Sequence, residues 1–398
     1  MDRRRLLELI AAGMVAPAAG AARAAASAAS GTPGRPSHAS SLLPVDPGRT
    51  DDAPATRLAA AWRGLATDSA QQVGAIEIDW AARAVRIASV VPVPSRAHGL
   101  LAEPGGGWLA IAFRPGSWLW RFDADGRVTA RASTDDEPHG RKFTGHVIAS
   151  PDGERLFTSE YDAASGEGRI GVRDRRTLRK LDEWASGGLD PHHLTTDVRG
   201  RLLIANGGLP RAPDGRKRDL DRMDSSLVAM DASSGRHLDA WRLQDRRLGL
   251  RHLAWSTAPD GTPLLGIALQ AEHAEPTRRA QAPVLATWDG TTLDVPSRAA
   301  DGEGYAGDIA AAAGGFVVTC QPARVALHWD ASRPAALTPI ARMHEACAVA
   351  PVAVADGGVV VAGALGVGRW HPAMPAVMLR WPMPMALDNH WVELARPG

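Results

Sequence analysis

The stretch GHVIASPDGERLFTSEYDAASGEGRIGVRDRRTLRKLDEW, Gly145–Trp184, decides the fold. It opens on a histidine and a short apolar run, His146-Val147-Ile148-Ala149. Ser150-Pro151-Asp152-Gly153 follows, whose proline presets one backbone angle and whose glycine accepts a positive φ, as a tight turn needs. A second run, LFTSEYD, leads through a Gly-rich hairpin to a third, RIGVRD, and an outer edge segment ends the unit. Short alternating runs separated by turn chemistry read as a four-stranded antiparallel blade.

Working outward, the opening of this unit recurs. His98 begins HGLLAEP, His193 begins HLTTDVR, His252 begins HLAWSTA, His344 begins HEACAVA and His390 begins HWVEL, with Asp308 of DIAAAAG standing where a further histidine would fall. From His98 through Asp308 to His390 the spacings are 48, 47, 59, 56, 36 and 46 residues. A repeat of roughly 40–50 residues built from short strands is the mark of a β-propeller, one blade per repeat. His390 is followed by one short strand only. The chain ahead of His98 holds AWRGLATD, VGAIEIDW and AVRIASVVPV, three strands lacking an inner one. The expectation is therefore an all-β, seven-bladed β-propeller of four-stranded antiparallel blades. Its ring is closed by pairing of N- and C-terminal strands in one composite blade, which removes exposed sheet edges.

Composition narrows the function. The 398 residues carry 45 basic and 44 acidic side chains, a balance that argues against a nucleic-acid binder with its one-sided basic excess. Thirteen Trp against five Phe and two Tyr supply large packing groups, and Trp80, Trp120, Trp184, Trp241, Trp288, Trp329 and Trp381 fall near the outer ends of repeats, where blades would bury them. Arg3-Arg4-Arg5 ahead of a mildly apolar, Ala-rich run resembles a twin-arginine export signal over residues 1–24, with an Ala/Ser/Pro/Gly linker over 25–55 and the propeller over 56–398. A periplasmic location and a monomer without a transmembrane segment after signal removal are expected. Cys320 and Cys347 would suit a disulfide in an exported chain, but buried free thiols are the preferred reading. The histidines His38, His139, His237, His273, His328 and His371 fall outside the repeat register and read as surface or strand residues.

A polar residue at the start of each innermost strand points at the central channel. Imidazoles and carboxylates ringed about one axis suit a transition-metal ion such as Fe, Cu or Zn. The candidate ligands are His146, His193, His252, His344, His390, Asp308 and Glu345, and further channel-lining candidates are His98, His192, Arg251, Tyr305, Asp388 and Asn389. Glu160, Tyr161, Asn206 and Gln270, which end second strands, would support them from behind. The plain alternative is that the recurring histidine only ties neighbouring blades together by hydrogen bonds. Doubled polar groups (His192-His193, Arg251-His252, His344-Glu345 and Asp388-Asn389-His390) favour a ligand site, because a structural tie needs only one. No CxxC, HExxH, G-x-S-x-G or P-loop pattern occurs, so zinc-finger, zincin, acyl-transfer and nucleotide chemistry lack support.

SPDGERLFTSEYD and GRIGVRD, GLDPHHL, LLIANGG, SLVAMDASSG, LRHLAW, EGYAGDIA and DNHW resemble the exported bacterial propellers grouped as domain of unknown function 1513. The resemblance covers the chain from about Trp62 onward. Its Pro-His-Glu type motif is PHHL here, with His193 in the acidic position. In fold such proteins are similar to YVTN-type and quinoprotein-like propellers. Their usual neighbours, imelysin-like proteins and a dihaem cytochrome-like protein, imply a periplasmic accessory or binding protein of metal acquisition, iron foremost, and these neighbours as partners. The resemblance carries over no catalytic residues. The rival expectations are a metal-dependent propeller enzyme, either lactonase-like hydrolase or quinoprotein-like oxidoreductase, and an interaction scaffold acting through the loops Leu209–Asp224 and Glu272–Gln281.

Overall fold

The computed structural model describes residues 55–395 apart from 67, 213–214, 298–300 and 353–356. The expected export signal, 1–24, and all but the last residue of the expected linker, 25–55, lie outside the described residues. Seven antiparallel sheets, each of four strands in simple order from axis to rim, make a seven-bladed propeller, and one sheet takes an extra two-residue strand at Val91–Pro92. The innermost strands are Ala386–Glu393 in blade 1, Ala97–Ala102 in blade 2 and Arg141–Ala149 in blade 3. Pro191–Thr196, Leu248–Thr257, Asp308–Ala312 and Val349–Pro351 serve blades 4 to 7. Each of these seven packs against the next around the ring.

Blade 1 is the composite. Thr56–Arg63 lies beside the last strand of the chain, with Ala59 opposite Val392 and Ala60 opposite Trp391. Hydrogen bonds between the two chain ends thus replace a free edge, the place where an open sheet would invite a second chain. The turns follow the sequence signals. At Ser150-Pro151-Asp152-Gly153, the Gly153 N–H donates to the Ser150 carbonyl at 2.9 Å, with Gly153 at φ +76°.

Between blades the core is aromatic and aliphatic. Trp80, Trp288 and Trp329 are buried, Trp184 and Trp381 nearly so, and Trp120 and Trp241 half-buried. Blades 1 and 7 meet through Trp62, Ile76, Trp80, Val360, Trp381 and Trp391. Each large side chain buried in this way contributes roughly 1.5–3 kcal/mol or more relative to exposure. Cys320 and Cys347 are buried and free.

The axial ends of the inner strands depart from regular pairing. In blade 2, Ala97 faces Ala112 and Leu100 faces Ala110, so His98 and Gly99 together oppose Ile111. In blade 3, Thr144, Gly145 and His146 stand against Ser159; in blade 4, His192 and His193 against Ala205. In blade 5, Arg251 and His252 oppose Ala268, and in blade 1 the triplet Asp388-Asn389-His390 opposes Ala61. Five of seven inner strands therefore carry a β-bulge, and every axial histidine sits in one. A bulge leaves residues unpaired and re-aims their side chains, which is how a strand can turn consecutive polar residues inward. Asp308 opens a strand paired without such a break.

Candidate metal centre

Six imidazoles meet on the axis. The His252 ring lies 4.2 Å from His390 and 4.6 Å from His192 between centroids, and His98 lies 4.5 Å from His390 and 4.9 Å from His146. His193 packs on His146 at 4.5 Å. One nitrogen each from His98, His146, His192 and His252 lies within 4.8 Å of all the others; His252, Asp308 and His390 form a second such group that shares His252.

The outward-facing nitrogens are held. His98 Nδ1 pairs with Asp388 Oδ1 at 2.9 Å, and Arg96 also donates to Asp388. His390 Nδ1 pairs with Asp308 Oδ1 at 3.0 Å, while Asp308 Oδ2 accepts the Val349 N–H at 3.0 Å. Blade 7 thus offers the axis a backbone donor in place of a polar side chain. Carboxylates behind imidazoles fix the ring and its tautomer, the usual support of metal-ligating histidines.

The hydrogen bonding of the remaining ring nitrogens is incomplete. His192 Nε2 and His390 Nε2 both approach His252 Nε2, at 2.7 and 2.9 Å. His98 Nε2, His146 Nε2 and His252 Nδ1 are buried with no hydrogen-bond partner among the described residues. Each such orphan costs about 1–3 kcal/mol. Three in one cluster is a large penalty to leave standing. Burial, joined by repulsion from His390 and opposed by the pull of Asp388, lowers His98 to about 3, and burial holds His146, His192 and His252 well below the ordinary value. His98, His146, His192 and His252 are therefore held in the neutral form, the one that binds metal. Burial would raise Asp388, but Arg96 and His98 outweigh it and hold the carboxyl far below the usual range; Asp308, more weakly opposed by His390, is raised by its burial.

These donors fit a first-row transition ion. Metal–imidazole bonds of about 2.0–2.1 Å put neighbouring ligand nitrogens roughly 3–3.4 Å apart, so the observed 2.7–4.8 Å spread needs only side-chain adjustment. Imidazole with carboxylate suits Fe, Cu, Ni and Zn.

The remaining candidates are placed as follows. His193 does not offer Nδ1, which accepts the Leu253 N–H at 2.8 Å and ties blade 4 to blade 5. The structure does not group His344 and Glu345 with the other candidates: they lie in a turn ahead of the inner strand, His344 exposed and Glu345 half-buried at φ +51°. The histidine register slips there because the 36-residue interval ends before the strand begins at Val349. Asn389 bridges blades through Gln321 and the Gly307 carbonyl, and Tyr305 makes a backbone bridge to Gln270. Arg251 turns to Asp190. Of the supporting four, Glu160 binds Arg173 and Lys180, Asn206 the Ser186 carbonyl and Gln270 the Ala306 carbonyl, while Tyr161 lies near Arg114 and Asp190.

Sequence reading passed over Asp190, Arg114, Arg96 and Arg211. Asp190 accepts from Arg114, from Arg211 Nε at 2.9 Å and from Arg251 Nη1 at 2.7 Å, and Arg114 also contacts His192 Nδ1. Burial opposes the Asp190 charge, yet the three guanidiniums keep its carboxyl far below the usual range. Only Asp190 had a signal, as the residue before Pro191-His192-His193.

Fold and site together define a seven-bladed β-propeller with a buried axial His/Asp cluster able to hold a metal ion. The chain belongs to the family described as "Protein of unknown function (DUF1513)", whose model matches residues 91–394. No curated protein matches the sequence. Among solved structures it is similar to a Lactobacillus plantarum protein, at 12% identity and TM-score 0.57 over 86% of this chain and 100% of that one. A Bacteroides fragilis protein described as a 6-phosphogluconolactonase candidate matches at 11% identity and TM-score 0.56, over 88% and 100%. Kuenenia stuttgartiensis hydrazine synthase matches at 12% and 0.53, over 79% and 93%. At these identities the likeness is one of fold alone.

Proposed function

We propose that the axial cluster binds one first-row transition-metal ion, and that the protein handles this ion in the periplasm as an accessory or binding protein of metal acquisition, iron foremost. The observation that carries the reading is the convergence of His98, His146, His192 and His252, one nitrogen of each within 4.8 Å of the others, with buried imidazole nitrogens of His98, His146 and His252 left unpartnered. A purely structural cluster would satisfy them, as Leu253 satisfies His193. The arginine-led N-terminus supports the periplasmic location. Imelysin-like and dihaem cytochrome-like proteins are the partners this reading names. No helix among the described residues is long and apolar enough to cross a membrane.

The test is elemental analysis and anaerobic metal titration of the purified chain beside a His98→Ala, His252→Ala double variant. One equivalent of Fe, Cu or Zn per chain, lost in the variant, is expected. Equal metal content in both, or none in either, overturns the assignment.

A further inference from the structure

The axial imidazoles sort into two kinds by what stands behind each ring. A neutral imidazole carries one proton, so the partner of one nitrogen decides whether the other presents a lone pair or an N–H. His98 Nδ1 pairs with Asp388, whose carboxylate also accepts from Arg96 and from the Asn389 N–H. His390 Nδ1 pairs with Asp308, whose oxygens accept the backbone N–H groups of Ile309 and Val349. Both carboxylates act as acceptors. In the neutral form these two rings therefore hold their protons on Nδ1 and leave Nε2 as a bare lone pair.

His192 is the opposite case. Its Nδ1 meets an Arg114 Nη group, and a guanidinium can only donate. Nδ1 must accept, so the ring proton sits on Nε2. Arg114 is buried and pinned in place, because its other Nη donates to Asp190, which Arg251 also grips at 2.7 Å. His193 follows the same rule, since its Nδ1 accepts the Leu253 N–H.

The His192 proton has an acceptor at hand. His252 Nε2 lies 2.7 Å from His192 Nε2 and 2.9 Å from His390 Nε2. His252 Nδ1 is buried without a partner among the described residues. Donation from His192 puts the His252 proton on Nδ1 and leaves Nε2 as the lone pair a metal would use. The bare nitrogens of His252 and His390 then face each other at 2.9 Å, a repulsion that a cation bound by both relieves.

We infer that His192 is a counter-ligand: its Nε2–H occupies the lone pair of His252 in metal-free protein and gives it up when an ion arrives. His192 is 4% exposed, so the displaced N–H stays buried beside a cation and weakens the ion's hold. The ion is left with His98, His252 and His390, joined by His146, whose Nε2 is also unpartnered. The site is thereby built to release what it binds, as a carrier requires. This role rests on the metal reading; the tautomers of His192 and His193 do not.

The experiment is zinc titration of the full chain, wild type beside His192→Asn. Asparagine keeps an acceptor for Arg114 and lacks the N–H that faces His252. The variant should bind zinc about three- to tenfold tighter, the worth of one hydrogen bond. Equal or weaker binding overturns the counter-ligand, because a lost ligand can only weaken the ion's hold. Should His192→Asn fail to fold, two-bond proton–nitrogen NMR of histidine-labelled wild type decides. Metal-free protein should show His192 and His193 protonated on Nε2, and His98 and His390 on Nδ1. With one equivalent of zinc, Nε2 of His98, His252 and His390 should shift as metal-bound while His192 keeps its Nε2 proton. A His192 protonated on Nδ1, or bound to zinc, overturns the inference. Zinc that binds neither protein, with the tautomers as stated, overturns the metal reading and the counter-ligand with it.

Discussion

At the residue scale, an imidazole in this protein is distinguished by what its second nitrogen meets. His193 accepts a backbone N–H and acts as a tie between blades; His98, two blades away, leans on Asp388 and leaves Nε2 bare. Asp388→Asn should therefore lower metal affinity by about 10–100-fold while the fold persists, because it removes the carboxylate that orients His98. Competition with a chromogenic chelator measures this. The thiols give a contrasting case. Burial pushes Cys320 far above its ordinary value, and Cys347 is just as enclosed. Neither should react with an aromatic disulfide reagent at about pH 8 until denaturant is added, since only a thiolate attacks. The histidines of the site were legible because they repeat. Arg114 was not, because its link to Asp190 spans 76 positions and exists only once blades 2 and 4 are both set around the axis.

At the element scale, the bulge separates what sequence could and could not supply. Turn residues and alternating runs mark the strands, and the composite blade follows from a strand deficit at one end and a surplus at the other. Which of two adjacent polar residues faces the axis is fixed by a break in strand register that no single residue announces. His192 and Arg251 therefore read as neighbours of the site, yet one joins the imidazole cluster and the other a separate ion network. The same bulges offer a direct test. Gly145 lies in the blade 3 bulge at φ +124°, and a Cβ there would come within 2.8 Å of His98 Cδ2. Gly145→Ala should cost about 1–3 kcal/mol in urea unfolding from backbone strain. It should also weaken metal binding by displacing His98. A variant that loses neither would show that the bulge does not position the ring.

At the scale of the whole molecule, closure and charge combine. Burial, opposed in part by the Leu253 hydrogen bond, lowers His193 to about 3, as it does His98. The unfolded chain has imidazoles at about 6.5 and takes up their protons first. In metal-free protein this contribution is intact above about pH 6.5 and is lost as pH falls toward 3, at about 1.4 kcal/mol per unit for each such group. Depressed Asp190 and Asp388 add a loss of the same sign below about pH 4, whereas Asp308, being raised, opposes it. Chelator-treated protein should therefore unfold at milder acidity than metal-loaded protein, as circular dichroism across pH 3–7 would record.

The strand Ala386–Glu393 carries Asp388 and His390 and also closes the ring. A chain still on the ribosome lacks this strand, however well its early blades have formed. A product cut short before Ala386 would lose the closing strand together with Asp388 and His390, so under the proposed metal reading such a copy should hold the ion less well than the finished one.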